Sequence, residues 1–323
     1  MPPLFINRNA LKIKPLKERQ HDLDLSSIQE RKPVPPEEID NNLKTIAQHI
    51  IKARKNGSAV IMLAGGHVIR SGVQHYLSDF MEKGYLTCLA MNGSGIIHDY
   101  EFARIGKTTE SVARYIQNGQ FGLWKETGEI NDILNLAYRE NPEACMGDAV
   151  GRAIENGNFP HKNISLLASA FRLGIPVTVH VGIGQDIIHE HPNCDGAATG
   201  ALSYNDFLRF AREIENLEKG VIMNFGTAVM GPEIYLKALA MARNLAKQEG
   251  RAIKDFATLV CDLHNLPEDY NTEPPKDNPA YYFRPWKTML ARTVADGGKS
   301  FYTQGRHHET IPALWTAINQ LSS

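Results

Sequence analysis

The run Ser58-Ala-Val-Ile-Met-Leu-Ala64, closed by Gly65-Gly66, decides the fold. It is short and almost wholly apolar, so neither of its faces can meet water, and it predicts a strand covered on both sides. On its amino side Ile39 to Lys55 has helical spacing, and on its carboxyl side Ile69 to Lys83 does. The alternation then repeats. Tyr85 to Met91 is a strand that stops at Asn92-Gly93-Ser94-Gly95, and Ile175 to Val181 is another, followed by Gly182-Ile183-Gly184. Between them Asp99 to Arg104, Glu110 to Gln117, Glu129 to Arg139 and Pro142 to Asn156 have helical patterns. Tyr204 to Glu218 is an amphipathic helix, Gly220 to Phe225 a strand ending at Gly226-Thr227-Ala228, and Pro232 opens a helix to Lys247. Phe256 to Cys261 and Ser300 to Thr303 complete the strands, and a last helix starts at Glu309.

Apolar strands alternating with helices predict an α/β fold: a Rossmann-like parallel sheet with helices on both faces. Ligands of such sheets bind outside the carboxyl ends of the strands, and that is where the glycines recur. The proline-rich, charged residues 1–36 read as an arm, because prolines without N–H donors cannot enter a helix or central strand. Residues 37–323 read as a single domain.

With 35 basic and 36 acidic residues the net charge is -1, which excludes the basic excess of a nucleic-acid protein and gives no reason to expect a membrane partner. Cys88, Cys145, Cys194 and Cys261 form no C-x-x-C pair and suit a reducing compartment. The first residues lack the apolar run of a signal peptide, so the expected location is cytoplasmic. Gly106-Lys107-Thr108 imitates the end of a P-loop but lacks the glycine that Glu101 replaces, and no G-x-G-x-x-G fingerprint is present. The segment His180 to Asp195 concentrates imidazoles, Cys194 and carboxylates. Its spacing fits no structural zinc pattern; it reads as a substrate-facing loop, with an acid–base histidine or metal-assisted hydrolysis as alternatives.

The order of these landmarks resembles the deoxyhypusine synthase family across roughly residues 40 to 320. The matching stretches are Val60 to Val73, Cys88 to Asp99, Ser165 to Asp186 and Gly220 to Val229. The resemblance implies a modified Rossmann-like sheet, a homotetramer, and NAD bound between subunits. It places Ser71, Asn92, Gly93, Ser94, Gly95, Asp186, Gly226 and Thr227 at the dinucleotide, with Asp262, His264 and Asn265 completing the site; His98, standing where the family has an acidic pair, or His189 is read from its own chemistry as acid or base. The family's imine-forming lysine is replaced by Thr293, and Gly231-Pro232-Glu233 stands where the family carries Lys-His-His. A hydroxyl cannot form an imine. The expected function is therefore a deoxyhypusine synthase-like, NAD-dependent transferase or oxidoreductase acting on a small substrate, an amine included, without the lysine-dependent transfer. A non-catalytic nucleotide- or amine-sensing paralogue is the alternative.

Overall fold

The computed structural model describes residues 4–322. The arm contributes the two-residue strand β1 (Leu23–Asp24), after which Asp40 caps α1 (Asn41–Asn56) by accepting the Asn42 N–H at 2.7 Å. In chain order there follow β2 (Val60–Ala64), α2 (Gly66–Arg70), α3 (Gln74–Glu82), β3 (Cys88–Asn92), α4 (Gly93–Ile105), β4 (Lys107–Thr108) and α5 (Val112–Tyr115). Then come α6 (Lys125–Glu140), α7 (Met146–Asn156), α8 (Leu166–Leu173), β5 (Val177–His180), α9 (Gly196–Ile214), β6 (Val221–Phe225) and α10 (Met230–Gln248). The chain closes with β7 (Ala257–Asp262), a π-helix at Pro285–Arg292, β8 (Lys299–Gln304) and α11 (His307–Ser322).

Six strands pair in the order β5-β3-β2-β6-β7-β8, every neighbouring pair parallel. Counted along the chain, this is the order of the doubly wound dinucleotide-binding sheets. Alternate residues of β2 serve opposite layers. Val60, Met62 and Ala64 join one core with Ile46 and Ile50 of α1 and Leu314 and Ile318 of α11. Ile61 and Leu63 join the other with Phe210 and Ile214 of α9 and Tyr235 and Leu239 of α10. Both faces are covered, as the apolar run around Val60 requires.

The structure corrects several local expectations. Asn92 to Gly95 is no loop: Asn92 is the N-cap of α4, its Oδ1 accepting the Gly95 N–H at 3.1 Å, and Gly93 to Gly95 form the first turn. Tertiary packing overrides the poor helix propensity of Gly-Ser-Gly there. The helix expected from Ile69 to Lys83 is broken at Gly72, whose φ of 73° no helix allows. The helix expected from Tyr204 begins earlier, at Gly196, because Asp195 caps it. Helix α8, the π-helix and the β1–β4 ribbon have no counterpart in the sequence reading.

The arm wraps its own chain. Val34 N–H donates to Thr316 Oγ1 at 3.0 Å, and the Tyr76 hydroxyl donates to the Glu30 carbonyl at 2.9 Å. Its deepest anchor is Arg19, which is buried and donates to both carboxylate oxygens of buried Glu101, at 2.8 and 2.6 Å. Thr127 and Thr108 hydroxyls donate to the same carboxylate at 2.6 and 2.7 Å. Burial pushes the Glu101 carboxyl up, but the Arg19 charge and these hydrogen bonds outweigh it and hold it below its ordinary value. Removing one member of such a pair strands a charge in the interior. Arg19→Met is expected to cost about 3–5 kcal/mol in chemical denaturation, and adding Glu101→Gln should restore much of it; equal losses in the single and double variants would show that the pair is not coupled.

Candidate functional site

The direction of strand order reverses between β2 and β6, which opens a crevice outside their carboxyl ends. Here two backbones meet. Gly65 N–H donates to the Phe225 carbonyl at 2.9 Å, and a Cβ on Gly65 would overlap the Gly226 carbonyl oxygen. Gly226 has a φ of 66°, which side chains rarely adopt. Buried Asn224 fixes this turn from below, its Nδ2 donating to the Thr227 carbonyl at 3.0 Å, and Thr227 Oγ1 accepts the Gly231 N–H at 2.9 Å. The His307 ring lies over Gly226, and its buried Nδ1 has no partner. Asp262, at the end of β7, accepts from His264 Nδ1 at 2.6 Å, and the His264 ring lies 4.4 Å from that of Phe283. Asn265 beside it is exposed. Gly226, Thr227, Asp262, His264 and Asn265 thus share one stretch of the sheet's carboxyl edge. Ser71 stands apart, at the carboxyl end of α2, its hydroxyl on the His67 carbonyl and its own carbonyl accepting from Gln29 of the arm.

A cavity of about 250 Å³ lies on the β3–β5 side of the crevice, lined by Arg70, Ser94, His98, Thr109, Glu110 and Asp186 among others. Ser94 donates to Asn92 Oδ1 at 2.9 Å, so Asn92 acts as a cap and Ser94 as its support. His98 is half-buried in α4, with Nδ1 2.8 Å from Thr108 Oγ1. The tautomer follows from the network. Ionised Glu101 can only accept, so the single Thr108 hydroxyl hydrogen points to it, and His98 Nδ1–H must donate to Thr108. Burial lowers the His98 pKa to about 4, which leaves the ring neutral near pH 7 with Nε2 as an open acceptor. Glu110 is held by Trp124 Nε1 at 2.8 Å and Gly122 N–H at 3.1 Å. Asp186 lies against Gly93 at the start of α4, its carboxyl raised to about 6 by burial.

Gln185 and Ile187 also line the cavity, whereas the segment's histidines and Asp195 serve the fold. His180 is buried beside Thr178 Oγ1 at 2.9 Å, its ring 5.5 Å from Phe210, and burial lowers its pKa to about 3. His189 Nδ1 accepts the backbone N–H groups of Gly184 and Asp186 at 3.2 and 3.3 Å, clamping the turn after β5. It does not line the cavity. His191 Nε2 stands 2.9 Å from the Gly122 carbonyl, and Asp195 caps α9. Among the described residues no three His, Cys, Asp or Glu side chains converge as a metal site. Thr293 is buried and donates to the Thr288 carbonyl at 2.8 Å, closing the π-helix, while Lys287 Nζ lies 3.3 Å from the Tyr281 ring centre. Sequence reasoning missed Arg19, Glu101, Thr108 and Thr109. Only Glu101 left a signal, its spacing three residues after His98 on the same helix face.

The geometry defines a class: a doubly wound α/β protein with a cavity at the carboxyl edge of its sheet. No family model matches the sequence, and no curated protein matches it. Solved structures share the fold. ArgZ, an arginine dihydrolase from the ornithine–ammonia cycle in cyanobacteria, overlays with a TM-score of 0.52 and 16% identity over 90% of this chain and 32% of its own. AgrE, solved as a ternary complex with ornithine and NAD+, gives 0.50 and 15% over 90% and 34%. The chain spans about a third of the length of these two proteins. A Methanococcus maripaludis S2 protein of the LOR/SDH type gives 0.52 and 15% over 91% and 73%. At these identities the likeness shows the fold alone. An Entamoeba histolytica protein assigned as a deoxyhypusine synthase gives 0.41 and 9% over 87% and 88%; the family resemblance therefore stays with the sequence motifs.

Because His98 is held below its unfolded value of 6.5, the unfolded chain takes up the proton first as pH falls. The stability His98 contributes is present above pH 6.5 and drains away toward pH 4. Asp99 and Asp206, raised by burial to about 6 and about 7, act in the opposite sense and cancel between variants. Denaturation melts at about pH 7 and about pH 5 should show wild type losing about 2 kcal/mol more than His98→Asn. An identical loss in both would mean that His98 is protonated in the folded state.

Proposed function

We propose that this chain binds NAD across the β2–β6 crevice and acts on a small, amine-bearing substrate in the His98 cavity. The observation that carries this is a coincidence of place: the reversal of strand order, the Gly65–Gly226 backbone contact and the cavity all lie at one edge of the sheet. The residues suit a dinucleotide. The Gly65–Gly226 contact lets the backbone approach a ligand closely, the unpaired His307 Nδ1 offers a polar atom beside it, and Asp262 stands where a ribose hydroxyl could be accepted. AgrE, about a third of whose length this chain spans, was solved with ornithine and NAD+, which supports the choice of cofactor.

NAD, when bound, supplies a hydride acceptor. The chain's own residues do the rest. His98 Nε2, neutral and unprotonated, accepts a hydrogen bond or a proton from a substrate N–H or O–H. Glu101 and Thr108 hold that tautomer, and Arg19 holds Glu101. A second reading, a non-catalytic sensor, draws on Thr293, which offers no imine-forming amine where the resembled family has its lysine. Formation of NADH absorbance with any amine or amino compound would end it.

Calorimetry with NAD+ tests the leading reading. Binding is expected, weakened at least about ten-fold, or about 1.4 kcal/mol, by Gly226→Val and more mildly by Asp262→Asn. If folded wild-type protein releases no heat with millimolar NAD+ or NADP+, the dinucleotide is wrong.

A further inference from the structure

The cavity beside His98 holds two charged groups that form no ion pair among the described residues, and they have opposite sign. Arg70 forms no ion pair among the described residues: its Nη1 lies 3.2 Å from His67 Nε2, and its Nε is buried without a partner. Asp186 forms none either. Its backbone carbonyl accepts the His189 N–H at 3.0 Å, and burial alone accounts for the raised pKa of its carboxyl. The two line the same cavity yet do not pair with each other. The remaining charges of the wall are satisfied, Arg19 by Glu101 and Glu110 by Trp124 and Gly122.

Two further atoms in the wall await a partner. Thr109 Oγ1 is buried and unbonded, on a residue whose φ of 68° is unusual outside glycine. His98 Nε2 is an acceptor by the tautomer derived above. Ile97, Phe121 and Ile187 supply apolar wall. A volume of about 250 Å³ suits a small molecule of a few methylene groups.

These features decide the ligand's charge pattern. An uncompensated charge in a partly desolvated pocket is costly, so the fitting ligand answers both. A diamine would set a second ammonium toward Arg70, and a phosphate or dicarboxylate would set an anion toward Asp186. We propose that the cavity takes a small zwitterion of the amino-acid type, its carboxylate on Arg70 and its ammonium on Asp186, with Thr109 and His98 completing the hydrogen bonds. This rests on reading the cavity as the substrate site, and it replaces the general amine with a defined class.

The test is a binding panel on the full chain, run with and without NAD+. L-alanine, L-norvaline, L-lysine and L-glutamate are each compared with the corresponding amine lacking the carboxylate and the acid lacking the amine; for norvaline these are butylamine and pentanoate. At least one amino acid is expected to bind about ten-fold or more tighter than both of its partners, since each truncation loses a charged hydrogen bond. Arg70→Gln should erase the advantage over the amine, and Asp186→Asn the advantage over the acid. Thermal melts establish that each variant folds, and the wild-type panel decides the matter without them. The proposal falls if the amines or acids bind as tightly as the amino acids, or if none of the amino acids binds at millimolar concentration. It also falls if the two variants weaken NAD+ and leave amino acids unaffected, which would make the cavity part of the cofactor site. Amino-acid selectivity without NAD+ binding would overturn the cofactor reading and leave this one standing.

Discussion

The ion pair between Arg19 and Glu101 is the constraint on which the candidate site depends. It is buried, bidentate and reinforced by two threonine hydroxyls, so Glu101 stays ionised in the interior. That ionisation orients Thr108, and Thr108 in turn selects which nitrogen of His98 carries hydrogen. A charge delivered by the arm therefore determines the chemical face that an imidazole turns toward the cavity. A buried pair of this kind is poor evidence of net stability, but it is an effective way to fix one arrangement out of several.

The sheet supplies the rest of the design. Strands β2 and β6 pair over their whole length, Val60 with Val221 through Ala64 with Phe225, and both end in glycine. Their helices leave in opposite senses, so the crevice is a product of strand order and needs no dedicated sequence fingerprint. A chain without G-x-G-x-x-G therefore still has the crevice. This dependence on strand order also explains why ArgZ, AgrE and the LOR/SDH-type protein share the architecture at identities of 15 to 16%, since a fold of this kind fixes a location and leaves the chemistry to side chains.

Much of this was legible in the sequence, for reasons that differ between strands and loops. The strands announced themselves because burial on both faces demands apolar residues at every position, as in Val60 to Ala64. The glycines that follow β2 and β6 were legible too, and the structure brings Gly65 against Gly226. Caps were harder. Asn92 to Gly95 has the composition of a loop and is the first turn of α4, because tertiary contacts rather than propensity hold it. The histidines after β5 invited a ligand role, yet His180, His189 and His191 are held by local hydrogen bonds to Thr178, Gly184 and Gly122. Arg19 could not be foreseen, since an arginine in a proline-rich, charged arm gives no sign of a partner 82 residues away.

The two walls of the edge have separate origins along the chain. Every residue lining the small cavity falls between Arg19 and Ile187, whereas Gly226, Thr227, Asp262 and His307 come from beyond it. The halves meet where Gly65 touches Gly226. Descent with modification can then retune the small-molecule pocket in one half without disturbing the crevice wall in the other. Drift of that kind meets a limit at the glycine contact, where a Cβ on Gly65 would overlap the Gly226 carbonyl oxygen.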